Sequence, residues 1–128
     1  MGITLREMVL VFLGGGMGSV LRLWMNRAAV LWSIPFPYGT LLVNVLACLV
    51  LGLILGAGRE RQWISGGTLL FFSVGICGGF STFSTFSAEV LQLMENGKLA
   101  AAALYLGSSV LLGLLAVGAG FLMVRQIV

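Results

Sequence analysis

Residues Gly75 to Glu89 read Gly-Ile-Cys-Gly-Gly-Phe-Ser-Thr-Phe-Ser-Thr-Phe-Ser-Ala-Glu, in the middle of an otherwise oily chain. Gly78-Gly79 can break a helix, and the eight residues that follow are only hydroxyls and phenyl rings. In hydrocarbon, backbone groups exposed at a break have no water to satisfy them, so they must be buried in protein or face water or an ion. Such a segment costs stability and therefore points to a function.

The rest of the composition makes lipid the solvent. The chain has 128 residues, 59% hydrophobic and 9% charged, with a mean hydropathy of +1.11. Soluble domains average about 25% charged residues, and so few charges cannot cover a surface for water. The length implies one domain. The net charge of +3 comes from seven basic residues that are scattered. They make no patch for nucleic acid and instead flank apolar runs, as membrane-anchoring charges do. The absence of His removes the commonest general base and metal ligand, which argues against an enzyme. Cys48 and Cys77 lie in apolar runs without CxxC spacing and read as small buried apolar residues.

Working outward, the central stretch belongs to an apolar segment over about residues 63–95, too long for one straight span at about 1.5 Å per residue. It reads as a helix broken near Gly78-Gly79. Three further spans are expected over about residues 4–26, 38–58 and 98–125, giving one all-α transmembrane domain with four membrane helices. In the first, Gly14 and Gly18 form a small-xxx-small pair that lets another helix approach closely; Gly52 and Gly56 repeat the spacing in the second. Arg22 is either a snorkelling interfacial residue or a charge facing a polar cavity, while Asn26 and Arg27 read as boundary residues. Asn44, the strongly polar interior residue of the second span, either bonds a neighbouring helix or lines a wet path. The loop from Trp32 to Gly39 holds both prolines, and its aromatics suit the headgroup level. Tyr105, Ser108 and Ser109 are the polar interior residues of the fourth span.

The charges do not choose an orientation. Arg6, Arg59, Arg61 and Arg125 fall on one side, Arg27 and Lys98 on the other with Arg22 near its edge. That bias is weak under the positive-inside rule, and the chain can insert either way up.

Taking about 100° per residue from Ser81, the hydroxyls of Ser81, Ser84, Thr85 and Ser87 form one wedge, and Phe83 and Phe86 lie together on another face. Hydroxyls, ring edges and the Asn44 amide are donors to something negative, and none is a cation that would trap it. Weak, multiple sites of this kind suit conduction. Carbonyls freed at the break have the opposite polarity and suit a small cation.

These residues resemble the small fluoride channels called Fluc or CrcB. The resemblance rests on Gly14-Gly15-Gly16-x-Gly18-Ser19-x-x-Arg22, on Gly39-Thr40-Leu41-Leu42-Val43-Asn44, and on the stretch from Gly75 to Glu89, with Tyr105 at a fourth-helix tyrosine position. It covers nearly the whole chain. It implies an antiparallel, dual-topology homodimer in a bacterial inner membrane, with two fluoride pathways and passive export that relieves fluoride toxicity. Phe83 and Phe86 would be the fluoride-facing rings and Asn44 the lining amide. Ser84, Thr85 and Ser87 would form the hydroxyl track, with Thr40 and Tyr105 nearby. Carbonyls of Gly78 and Ser81 from both subunits would hold a structural sodium ion, and Arg22 and Glu89 would stand at vestibules. Ser81, Phe80 and Trp24 depart from the commoner family pattern. The competing expectation is a proton-coupled four-helix exporter using Glu89, the one acid placed within a span.

Overall fold

The computed structural model describes residues 2–31, 36–60 and 62–127, with the side chains of Arg59 and Glu60 excepted. Residues 32–35 of the proline loop and Arg61 of the charged loop, both given roles above, lie outside the described residues. All regular structure among the described residues is helical.

Helix α1 (Leu5–Val30) starts at a capping box, in which Glu7 N–H donates to Thr4 Oγ1 at 3.3 Å and Thr4 N–H donates to Glu7 Oε2 at 2.8 Å. That pair satisfies two of the free N–H groups of the first turn, a contribution of about 1 kcal/mol. Helix α2 (Tyr38–Leu55) runs on into wider π-type turns over Gly56–Glu60. The third span has two parts. Helix α3 (residues 66–80) begins at Ser65, whose Oγ accepts the Thr68 N–H, and widens into π-type turns over Phe71–Cys77. There Ser73 Oγ donates to the Leu69 carbonyl at 2.6 Å, a back-bond of the kind that loosens a helix. Helix α4 (Phe83–Glu95) is the second part, and α5 (Leu99–Gln126) the last span. All four spans are long and apolar enough to cross a membrane.

The break lies at Ser81 and Thr82, both in extended conformation, two residues beyond the glycine pair. Gly78 and Gly79 themselves are helical. Ser81 therefore lies off helix α4 and leaves the hydroxyl wedge drawn from it; the face consists of Ser84, Thr85 and Ser87, with Thr82 at the cap.

Glycines set how the spans pack. Helix α1 lies along α3, and α2 along α5. A Cβ on Gly75 would stand 3.0 Å from Gly14 Cα, and one on Gly18 would stand 2.7 Å from Phe80 N. A Cβ on Gly52 would stand 2.9 Å from the Val117 carbonyl carbon. These contacts are backbone to backbone, closer than any side chain allows, as small-residue stripes permit in membrane helices. A cluster of Phe86, Val90, Leu93, Ala102 and Tyr105 joins α4 to α5.

Candidate functional site

The break is held by side chains from two other spans. Asn44 on α2 accepts the Thr82 N–H on Oδ1 at 2.8 Å and donates from Nδ2 to the Thr82 carbonyl at 3.2 Å. From α1, Arg22 Nη1 donates to the Ser81 carbonyl at 3.2 Å, and Ser19 Oγ to the Gly79 carbonyl at 3.4 Å. Asn44 thus has the helix-bonding role left open by its sequence, and that role falls on the broken segment. Thr82, buried at the start of α4, caps it: its Oγ1 accepts the Thr85 N–H at 3.2 Å and donates to Thr85 Oγ1 at 3.0 Å. A Ser84 Oγ contact to Thr82 Oγ1 at 3.4 Å continues the hydroxyl line. Ser87 turns away, donating to the Phe83 carbonyl at 2.9 Å.

One helical turn beyond, three spans converge on a carboxylate. Thr40 Oγ1 on α2 donates to Glu89 Oε1 at 2.8 Å, and Tyr105 O–H on α5 donates to Glu89 Oε2 at 2.7 Å. Thr40 and Tyr105 are fully buried and Glu89 is half-buried. A carboxylate away from bulk water needs such donors.

The rings form a line beside this carboxylate. Phe83 and Phe86 have centroids 5.8 Å apart. Phe86 meets Tyr105 edge-on at 4.9 Å, and Tyr105 meets Phe36 edge-on at 5.4 Å. The two phenylalanines assigned together from sequence differ in setting: Phe86 is 6% exposed and Phe83 is 80% exposed. Phe36, an aromatic of the proline loop, joins the same line. It turns inward against the core, because Tyr105 offers an edge-to-face partner there.

Two cavities open where the line ends, and Phe36, Pro37 and Glu89 line both. One, of about 210 Å³, also takes in Asn26, Gly39 and Thr40. The other, of about 300 Å³, also takes in Gln92, Asn96 and Lys98. Gly78 and Ser81 border a separate cavity of about 130 Å³ with Cys48, Cys77 and Ser73. The structure therefore brings together Thr40, Phe86, Glu89 and Tyr105, and separately Arg22, Asn44 and Ser81. Thr82, Ser19 and Phe36 are site residues that the sequence reading missed. For Thr82 a signal existed, since Thr at the start of a helix with a partner three residues on is a capping pattern.

Four apolar spans, a third one broken in its middle, and a line of uncharged donors leading to a shielded carboxylate define a small multi-pass α-helical membrane protein with a polar seam. Within that class, residues 9–121 match the family described as CrcB-like protein, Camphor Resistance (CrcB), and the chain belongs to it. A relative in Methylobacterium nodulans named fluoride-specific ion channel FluC is 44% identical over 118 residues, covering 92% of this chain and 95% of the relative. Relatives of the same name in Flavobacterium psychrophilum and Phocaeicola vulgatus are 37% and 40% identical; they cover 91% and 93% of this chain, and 95% and 98% of the relatives. By this membership the protein is a membrane transport protein and not an enzyme.

Proposed function

We propose that the protein is a passive, selective fluoride channel of the bacterial inner membrane, working as an antiparallel homodimer and letting toxic cytoplasmic fluoride leave. The observation that carries this is the seam itself. From Thr82 to Tyr105 it is lined by hydroxyls and ring edges and no cationic side chain, with its one acid, Glu89, held by Thr40 and Tyr105, beside relatives named as fluoride-specific channels. Fluoride is small and tightly hydrated, so a selective path replaces its water with many weak donors and still lets it go. Phe83 and Phe86 present ring edges, with the hydroxyls of Ser84 and Thr85 near them, Ser87 joining the track if its bond to the Phe83 carbonyl opens, and Asn44 fixing the break they follow. An inside-negative potential of about 100 mV drives each anion outward by about 2.3 kcal/mol.

A structural sodium ion is consistent with the carbonyls at the break. The Thr82 N–H that would close a helical bond to the Gly78 carbonyl goes to Asn44 instead. The Ser81 carbonyl, which accepts one bond from Arg22, keeps a second lone pair. Gly78 and Ser81 from two antiparallel copies would hold the ion, whose charge would tie the two breaks together. Arg22 then brings a second positive charge to the same oxygen and sets the field around the break.

The test is fluoride efflux from proteoliposomes, read with an electrode beside chloride. Rapid, proton-independent fluoride loss is expected, abolished or slowed at least tenfold in Phe83→Ile and Phe86→Ile. Transport that requires a proton gradient and vanishes in Glu89→Gln would support the proton-coupled exporter instead. Absence of fluoride flux from well-reconstituted protein refutes both the channel and its selectivity.

A further inference from the structure

We infer that the cavity of about 300 Å³ between the α4–α5 turn and the Phe36-Pro37 segment is an anion-collecting mouth, in which Lys98, Gln92 and Asn96 gather small hard anions at the Glu89 end of the seam. The inference rests on the fluoride-channel reading and adds to it the residues that concentrate the ion before it enters.

Three side chains that can donate N–H groups line this one cavity: the Lys98 ammonium and the Gln92 and Asn96 amides. Among the described residues, none of the three side chains has a hydrogen-bond or ion-pair partner, so their donors are free for a ligand. The acid on the inner wall is in the opposite condition. Both oxygens of Glu89, which also lines the cavity, already accept bonds from Thr40 and Tyr105, and these spread its charge. Glu95, the other acid of this turn, does not line the cavity.

The backbone fixes Lys98 where it is needed. Helix α4 ends in a Schellman turn: Gly97, at φ 72°, donates its N–H to the Met94 carbonyl at 3.0 Å, and Lys98 donates its N–H to the Leu93 carbonyl at 2.8 Å. Leu93 is buried in the α4–α5 cluster, so the root of the lysine side chain is tied to the core although its head is exposed. Helix α5 starts at the next residue with no side-chain cap, and its free N–H end adds a field of the same sign. A lysine at this depth could also reach up to a lipid phosphate. The two amides beside it, facing the same cavity, favour a small hydrated anion, which takes several donors at once.

A single positive charge at a mouth raises the local anion concentration, and the effect fades once the Debye length falls below the size of the opening. The test is fluoride efflux and unitary current from the full-length protein in zwitterionic vesicles, with anionic vesicles as a second arm, at low and high concentrations of an impermeant potassium salt. At about 10 mM ionic strength and sub-saturating fluoride, Lys98→Gln should lower flux about 2–3-fold and Lys98→Glu about 5–10-fold. Lys98→Arg should match wild type. Maximal flux at saturating fluoride should be unchanged in all three, and the deficits should shrink to less than about 1.5-fold at 0.5 M salt, where the Debye length is only about 4 Å. Gln92→Glu, in the same cavity, should act in the same direction as Lys98→Glu.

Equal flux in wild type, Lys98→Gln and Lys98→Glu at low salt overturns the inference. So does a deficit that persists at high salt, which marks a packing role, or one that appears only in anionic lipid, which marks a headgroup anchor. A wild-type protein without fluoride flux overturns the channel reading and this inference together, whereas wild-type flux with inert Lys98 variants overturns this inference alone.

Discussion

Asn44 uses both ends of its amide on a single residue, and that residue is where the third span stops being a helix. The sequence showed a lone amide in an apolar span. It could not show that the partner was the backbone of Thr82, thirty-eight positions away, because that pairing exists only once α2 and α3 are packed. Replacing Asn44 by Leu leaves the Thr82 N–H without its acceptor, and a buried unsatisfied group costs about 1–3 kcal/mol. Asn44→Leu should therefore unfold at a lower temperature in detergent and conduct little. Asn44→Asp keeps the acceptor for the Thr82 N–H but sets a carboxylate oxygen against the Thr82 carbonyl. It should fold better than the Leu variant while still losing most fluoride flux. A Leu variant as stable as wild type would show that the amide does not hold the break.

At the scale of the helices, the apolar runs and their glycines were plain in the sequence, because period and composition act locally. Gly14, Gly18 and Gly52 read as close-packing sites, and backbones of other spans do lie against them. The exact break was less legible. Two adjacent glycines suggested that the helix yields there, yet they stay helical and the chain opens at Ser81 and Thr82. Side chains from α1 and α2 decide this: Ser19, Arg22 and Asn44 satisfy carbonyls and an N–H that a break would otherwise orphan. The inward contact of Phe36 was out of sight for a related reason, since its edge-on partner Tyr105 lies far along the chain. The glycines also provide a comparison within one helix. By helix propensity alone, Ala should stabilise α1 at either Gly16 or Gly18 by up to about 1 kcal/mol. A Cβ at Gly16 meets nothing within 4 Å, while one at Gly18 would press to 2.7 Å from Phe80 N. Gly16→Ala should be neutral or mildly stabilising. Gly18→Ala should destabilise by about 1–3 kcal/mol, the usual cost of overpacking, and should slow fluoride flux by pushing α1, and Arg22 with it, off the break. Thermal unfolding of the two variants side by side checks this, and equal stability would mean that α1 and α3 can separate freely.

For the whole molecule, the proposed antiparallel homodimer makes the largest claim on the single chain. Phe83 stands 80% exposed at the start of α4, and the carbonyls at the break supply one half of what a cation would need. A second copy related by a two-fold axis in the membrane plane would set the two broken spans against each other, and the charges permit it. Counted along the sequence, Arg6, Arg59, Arg61 and Arg125 belong to one side of the four spans and Arg22, Arg27 and Lys98 to the other, so neither end is held firmly to the cytoplasm by its positive charges. If both orientations insert, the C-terminal end of α5 reaches both sides of the membrane in equal amount. A cysteine introduced at Ile127, in a background with Cys48→Ser and Cys77→Ser, reports this directly. An impermeant maleimide applied to intact cells with a permeable outer layer should label about half of the chains, and permeabilising the inner membrane should expose the remainder. Cross-linking in the same background should trap dimers and no larger species. Labelling of all chains, or of none, before permeabilisation would fix one orientation. The fluoride path would then have to be built from parallel copies, in which Phe83 of one chain could not face the broken span of the other from the opposite side.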